Sequence, residues 1–213
     1  MRARPGRAPR WPAVALSLAL VVVGVAGCGS GPRLETLWDA PRFNLTDESG
    51  RPFSSDALAG RVWLADFIYT HCPDECPIYL SPKMASLQAR IIAANLADQV
   101  QLISFTVDPR RDTPAVLADY AAAYGADPRV WRFLTGPDAT IGPLLQTGFK
   151  VGAAVPADAV TVTPPTPAPA YTLIHSGYFL LVDRQGKIRG TYDGEQVPAD
   201  DMLKGIRQLL NER

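Results

Sequence analysis

Two periodicities of apolar positions alternate along this chain, and the switches between them divide it into strands and helices. Arg61 to Tyr69 (RVWLADFIY) is largely apolar at both odd and even positions, the pattern of a central strand covered on both faces. Val100 to Val107 has the same character. From Pro77 to Ala97 the chain is instead rich in Ala, Leu, Ile, Gln and Lys, with Leu80, Met84, Leu87, Ile91 and Ile92 recurring on one helical face. Thr113 to Tyr124 predicts a second helix, with Thr113 as N-cap and Pro114 in the first turn. Strands alternating with helices in this way predict a βαβ unit and a parallel sheet.

Shorter signals complete the pattern. Phe43–Leu45 and Arg51–Phe53 flank Asp47-Glu48-Ser49-Gly50 and predict a β-hairpin at the start of the fold. Trp131 to Leu134 predicts a short strand, and Asp138 to Phe149 a helix kinked or delayed by Gly142-Pro143. Pro156 to Pro169 contains five prolines and few large apolar residues, so it predicts an extended surface loop. That loop leads into Tyr171-Thr172-Leu173-Ile174-His175. Tyr178–Val182 and Lys187–Tyr192 around Asp183-Arg184-Gln185-Gly186 predict a second hairpin, and Ala199 to Leu210 an amphipathic closing helix. The plan is an α/β domain: one central sheet with helices on both faces and an added N-terminal β-hairpin.

Composition changes this picture at the N-terminus. The zero net charge of the 213 residues hides an arginine-rich leader, with Arg2, Arg4, Arg7 and Arg10 and no acidic residue before Cys28. Removing those four arginines from the 21 basic residues leaves 17 against 21 acids, a balance of −4 that argues against nucleic acid as a partner. An apolar run from Val14 to Val25 follows the arginines and is short for a membrane span of about 20 residues. Arginines, apolar run and small residues stand in the order of an export signal. The ending Val25-Ala26-Gly27-Cys28 resembles the lipobox of bacterial lipoproteins, in which the cysteine is lipidated after cleavage. The expected division is therefore a signal peptide over 1–27, a tether over 28–41 and a domain over 42–213. An uncleaved anchor helix would leave the same location: exported, held at the outer face of the cell membrane, on the periplasmic side in a Gram-negative cell.

Lipidation of Cys28 leaves Cys72 and Cys76 as a pair in a compartment where thiols oxidise. They lie in Tyr69-Thr70-His71-Cys72-Pro73-Asp74-Glu75-Cys76-Pro77, between the first central strand and the long helix. Ligands of open α/β sheets gather beyond the carboxyl ends of the strands. A helix N-terminus favours thiolate over thiol, so a lowered cysteine pKa is expected there. Residues i and i+4 reach one another around a helical turn, which permits a Cys72–Cys76 disulfide or two ligands for one ion. Soft thiolates suit Cu(I) or zinc. The chain has two histidines. His71 adjoins Cys72 and points elsewhere in an extended segment, whereas a mixed sheet can bring His175 over the cysteines. A set of Cys72, Cys76 and His175 without a fourth candidate suits Cu(I) better than structural zinc, which takes four ligands.

Three motifs in order carry a family resemblance: Thr70-His71-Cys72-Pro73-Asp74-Glu75-Cys76-Pro77, Thr106-Val107-Asp108-Pro109-Arg110-Arg111-Asp112-Thr113-Pro114, and His175-Ser176 before Tyr178-Phe179-Leu180-Leu181-Val182-Asp183. Together they resemble the Sco/SenC copper chaperones from about Phe43 to the C-terminus. The resemblance implies a thioredoxin-like fold and copper held by Cys72, Cys76 and His175, as Cu(I), with Cu(II) left open. It also implies a role in assembling the copper centre of cytochrome c oxidase, with that oxidase subunit as recipient and a periplasmic or extracellular copper donor. The family usually has an acidic residue before the ligand histidine, where Ile174 stands here.

His71 and Asp108 are expected to tune or orient the cysteine loop rather than bind metal, Asp108 being equally readable as a turn residue before Pro109. Met84 belongs to the helix's apolar face. A metallochaperone is not an enzyme in the ordinary sense. The alternative is a thiol-disulfide oxidoreductase with Cys72 attacking and Cys76 resolving, against which the Cys-x₃-Cys spacing argues. A peroxidase is a weaker third reading.

Overall fold

The structure is a computed structural model that describes residues 33–73, 75–151 and 177–212. Its strands are β1 (Trp38–Asp39), β2 (Asn44–Asp47), β3 (Pro52–Ser54), β4 (Val62–Ile68), β5 (Val100–Thr106), β6 (Trp131–Thr135), β7 (Tyr178–Val182) and β8 (Lys187–Asp193). They form one mixed sheet in the order β1-β8-β7-β4-β5-β6-β2-β3. β4, β5 and β6 are parallel to one another, and every other pairing is antiparallel. The β4–β5 register runs without a slip from Val62 opposite Val100 to Ile68 opposite Thr106. All seven residues of each of these two strands are buried, as expected for strands covered on both faces.

Alternation along β4 divides the core in two. Val62, Leu64 and Ile68 face a cluster with Leu80, Met84, Leu87, Ile91, Met202 and Ile206, while Trp63, Ala65 and Phe67 face one with Phe43, Phe105, Leu145 and Phe149. The helices α1 (Ser81–Ala93), α2 (Pro114–Ala123) and α4 (Ala199–Asn211) contribute to the first cluster, and α3 (Asp138–Pro143) to the second. Packing decides where α1 lies. Leu80, Met84, Leu87 and Ile91 are each 0% exposed, and burial of such a side chain contributes about 1.5–3 kcal/mol. No side-chain cap holds the start of α1, and a cap would add only about 1 kcal/mol. At α2 the expected cap is present: Thr113 accepts the Val116 N–H at 3.4 Å.

Some expectations change. Ile92 was assigned to the apolar face of α1 but is 40% exposed; α1 ends one residue later, and Asn95 turns the chain with φ 56°. Pro143, which has no N–H to donate, ends α3, and the chain continues as one turn of π-helix, Leu144–Gly148. The N-terminal hairpin is part of the main sheet, because β2 pairs with β6 as well as β3. The segment read as a tether is bound to the domain from Leu34 onward. Leu34 C=O accepts from Arg189, Leu37 N–H donates to Ile188 C=O at 2.8 Å, and β1 pairs with β8. The signal segment 1–27, Cys28 and the proline-rich stretch 156–169 lie outside the described residues.

A buried ion cluster closes the β2–β6 edge. Arg132, on β6, pairs with Asp47 and with Glu48, the latter at 3.3 Å. Burial would raise the Asp47 carboxyl, but hydrogen bonds from Ser49 and Arg51 and the Arg132 charge outweigh it and hold it below the usual value of 3.8. A depressed carboxyl stabilises the fold above its unfolded pKa and loses that contribution as pH falls through the folded value. Asp47→Asn is therefore expected to cost about 1–3 kcal/mol near neutral pH, by removing one of the two counter-charges of Arg132 and leaving it Glu48. It should also flatten the loss of stability below about pH 4. Urea melts of both proteins across pH check both outcomes.

Candidate metal centre

β4 runs into the cysteine loop at its carboxyl end. The Cys72 N–H donates to the Tyr69 carbonyl at 3.1 Å, turning the chain directly after the strand. Cys76 then opens one turn of π-helix, Cys76–Leu80, which continues into α1. The two cysteines are therefore not on successive turns of one α-helix, as the i, i+4 spacing suggested. Cys72 precedes the helical segment and Cys76 begins it. They meet nonetheless: the Cys76 N–H donates to Cys72 Sγ at 3.3 Å. Both are buried, Cys72 at 8% exposure and Cys76 at 0%, and both are thiols.

The expectation of a lowered pKa fails for Cys76. The hydrogen bond with the Cys72 side chain raises its thiol first, burial adds to this, and the Cys72 and Asp66 charges push the same way. The helix N-terminus does not overcome these effects. The backbone N–H that would stabilise a thiolate points at Cys72, the sulfur where negative charge is best accommodated.

Two buried carboxylates stand close to this loop without having been assigned a role. Asp66, in the middle of β4, is 0% exposed and shares a face with Leu64 and Ile68, the face to which both cysteines contribute. An acid inside an otherwise apolar strand was the sequence signal for it. Asp112, also 0% exposed, accepts from Thr70 Oγ1 at 2.6 Å, from Thr106 Oγ1 at 2.6 Å and from Thr70 N at 3.2 Å. Burial raises the Asp112 carboxyl, and the bonds from Thr106 and Thr70 pull it back in part. Nothing in the spacing distinguished it from the other charges of the Asp108–Thr113 segment.

Of the residues expected to orient the loop, His71 is exposed and its Nδ1 lies 3.1 Å from Thr70 Oγ1. Asp108 is 6% exposed and pairs with Arg111 at 3.2 Å. Burial raises its carboxyl, against the pull of Arg111 and of His71. His175 and Asp74 lie outside the described residues. Among the described residues no group of three His, Cys, Asp or Glu side chains is placed to hold a metal ion. The chain resumes at Gly177, where an added Cβ would lie 3.2 Å from Glu75 Oε2, one residue before Cys76. Gly194, just after β8, donates to Gly177 C=O at 2.6 Å. A Cβ on Gly194 would come 2.3 Å from that oxygen and 2.5 Å from Leu80 Cδ2. Only glycine permits this approach.

The sequence profile of the SCO1/SenC family matches residues 36–211. The chain belongs to this family. A Bacillus subtilis SCO1 protein homolog is 32% identical over 195 residues, which cover 90% of this chain and 94% of the relative. Among solved structures, a SCO1/SenC family lipoprotein from Bacillus anthracis superposes with a TM-score of 0.70 at 30% identity, covering 84% of this chain and all of that one. BsSco, described as a member of the Sco family of cytochrome c oxidase assembly proteins and for its disulfide switch, gives 0.67 at 30% identity over 85% of this chain and all of its own. Bradyrhizobium japonicum ScoI, solved with copper bound, gives 0.61 at 28% identity over 80% and 99%. The thioredoxin-like fold expected of a Sco protein is thus present, with β4, β5 and the cysteine loop at its centre.

The thiol geometry has a direct consequence for reactivity. Cys72 is the more accessible sulfur and receives the Cys76 N–H, while the Cys76 proton is held more tightly. Limited iodoacetamide treatment of the reduced protein at mildly alkaline pH should therefore modify Cys72 well before Cys76, as read by peptide mass mapping.

Proposed function

We propose that this Sco protein is a membrane-anchored copper chaperone that holds Cu(I) through Cys72, Cys76 and His175 and passes it on during assembly of the copper centre of cytochrome c oxidase. The observation that carries the reading is the meeting of the two sulfurs through the Cys76 N–H and Cys72 Sγ, 3.3 Å apart at the carboxyl end of β4. Two thiols so placed are a soft donor pair that favours Cu(I) over oxygen-seeking cations. The position of Gly177 against Glu75 supports the third ligand. His175 is two residues earlier, and two residues of chain span at most about 7 Å, so an imidazole at that point is within reach of the cysteines. Copper in the Bradyrhizobium relative and oxidase assembly in the description of BsSco support the cargo and the destination. The Bacillus anthracis relative is a lipoprotein, which supports Cys28 as the anchor.

In this reading the ion is cargo. Three protein ligands leave room for an incoming ligand from the recipient, so transfer proceeds by exchange of one donor at a time. Loading requires both sulfurs as thiolates and releases their protons, and a Cys72–Cys76 disulfide cannot load. The same pair can exchange with a partner's disulfide, with Cys72 as attacking sulfur. His175 separates the two activities, since dithiol exchange does not need an imidazole.

The reduced protein is expected to bind one Cu(I) per chain in competition with a chromophoric chelator, and the oxidised protein none. Cys72→Ser, Cys76→Ser and His175→Ala should each weaken binding by at least about tenfold, and stoichiometric tight binding by all three would overturn the site. His175→Ala should leave the rate at which the dithiol reduces a small disulfide substrate nearly unchanged; a large loss there would favour the oxidoreductase reading. For the anchor, Cys28→Ala should move the protein from the membrane fraction to the soluble fraction of cells, and retention in the membrane would favour an uncleaved helix.

A further inference from the structure

We propose that the cleft between the Cys76–Leu80 turn and the ends of β7 and β8 docks a basic, partly apolar face of a partner protein. The occupant presents lysine or arginine beside the thiol or metal ligand that exchanges with Cys72. This rests on the chaperone reading and adds to it the chemistry of the partner's contact face. The cleft has a volume of about 160 Å³. Tyr79 and Leu80 line it from the turn, and Gly177 and Tyr178 from the chain entering β7. Glu75, one residue before Cys76, and Asp193 and Glu195, at and just after the end of β8, supply its carboxylates.

Two properties of the walls define the occupant. The first is apolar exposure. Ile78, in the same turn, is 57% exposed and Tyr178 48%. Among the described residues only two other large apolar side chains, Leu37 and Ile92, are comparably exposed. Half of this surface therefore gathers beside the cysteine loop, and aromatic and branched side chains of this kind anchor protein interfaces. The second property is charge. Three carboxylates line the cleft and no basic residue does. Asp193 is fixed by the Glu195 and Gln196 N–H groups, at 2.9 Å each. Lys83 lies under the same loop and donates to the Glu195 carbonyl at 3.1 Å and the Val197 carbonyl at 2.9 Å. Counting it, three negative charges against one positive leave −2. A cleft with an excess of one sign concentrates ligands of the other and speeds their arrival.

The chain's own material does not supply the matching charge. Segment 152–176 contains no Lys or Arg, and a second copy brings the balance of −4 that the chain carries beyond its leader. A lysine or arginine of a partner fits by both of its parts. Its methylene stem packs on Leu80 and Tyr178 while its head meets the carboxylates, and the Tyr178 ring adds a cation–π face. The rim charges act mainly on the rate of encounter, and the apolar contacts hold the docked partner with its exchanging group toward the cysteine end of the sheet.

The test uses the reduced full chain in detergent and synthetic peptides Lys-Leu-Cys-Leu-Lys and Glu-Leu-Cys-Leu-Glu, each with its cysteine capped as a disulfide with thionitrobenzoate. The Cys72 thiolate attacks the peptide sulfur and releases thionitrobenzoate, read by absorbance; Cys76 then displaces the peptide as a thiol and closes the disulfide. Rates are normalised to those with 2-mercaptoethanol, so the peptides' own reactivity cancels. The lysine peptide is expected to react about tenfold faster than the glutamate peptide at low ionic strength, a ratio that falls toward one in about 1 M salt. Asp193→Asn with Glu195→Gln, and Glu195→Lys alone, should each bring the ratio close to one. Ile78→Ser should remove the advantage of leucine over serine at the flanking peptide positions. Equal rates for the two charged peptides at low salt overturn the proposal, as does a ratio that the folded variants leave unchanged. If the double variant does not fold, Glu195→Lys decides. A dimer in sedimentation velocity that Glu195→Lys dissociates would assign the cleft to a second copy and also overturn it. The exchange needs no copper, so the two readings fail differently: absence of Cu(I) binding removes the cargo assignment, and the peptide ratio still decides the docking surface.

Discussion

Parallel strands must end somewhere, and where they end the backbone groups of the next residues need partners other than a neighbouring strand. β4 and β5 stay in register to Ile68 and Thr106, and the chain then leaves the sheet in two directions. One buried carboxylate, Asp112, takes the N–H and hydroxyl of Thr70, the second residue beyond β4, and the hydroxyl of Thr106, the last residue of β5. A buried charge is costly unless it is fully hydrogen-bonded, and here the bonds it needs are those that the strand ends must make. The requirement of the sheet and the requirement of the charge are met by the same contacts. The cysteine loop begins two residues later, so its starting point is as fixed as the core.

From that fixed start the loop places one sulfur in a turn and the other at the head of a helical segment. The π-helical turn at Cys76–Leu80 inserts an extra residue per turn before α1 begins. Leu80, Met84, Leu87 and Ile91 fix the rotation of α1 against the sheet, and the wider turn lies between that anchored helix and the cysteine loop. The hydrogen bond with the Cys72 side chain first, and burial second, hold Cys76 as a thiol. Two adjacent thiols under an apolar cover resist ionising together, because the second thiolate would lie beside the first without water to screen it.

The sequence revealed the strands most clearly where burial on both faces leaves no ambiguity. Arg61–Tyr69 and Val100–Val107 were found within a residue of β4 and β5, and the cysteine motif was found at the loop between β4 and α1. What it did not reveal depends on contacts between distant segments. Leu34, Trp38 and Asp39 have no strand pattern of their own and become a strap only because Ile188 and Arg189 supply partners across the sheet. Asp112 is one of several charges in its segment until folding brings Thr70 against it, 42 residues earlier in the chain. The raised pKa of Cys76 escapes the sequence for a related reason. The helix terminus is legible in sequence, whereas the sulfur of Cys72 and the carboxylate of Asp66 beside it are tertiary facts.

The last hairpin relates the core to the site through register. β7 pairs antiparallel with β4, Leu180 opposite Ala65 and Leu181 opposite Leu64. A slip of one residue would exchange Phe179 and Leu181, packed in one cluster, with Leu180 and Val182, packed in the other, and mismatch both cores. Continuing the same register places Gly177 at the level of Ile68, where β4 ends and the cysteine loop begins. The hydrophobic pairing of β7 is sufficient to bring Gly177 to the cysteine end of the sheet, without any contribution from a metal. Gly194 then refines this placement, because the absence of a side chain lets its N–H reach the Gly177 carbonyl while Leu80 packs alongside. The approach to the site is thus set by apolar burial first and by one glycine second.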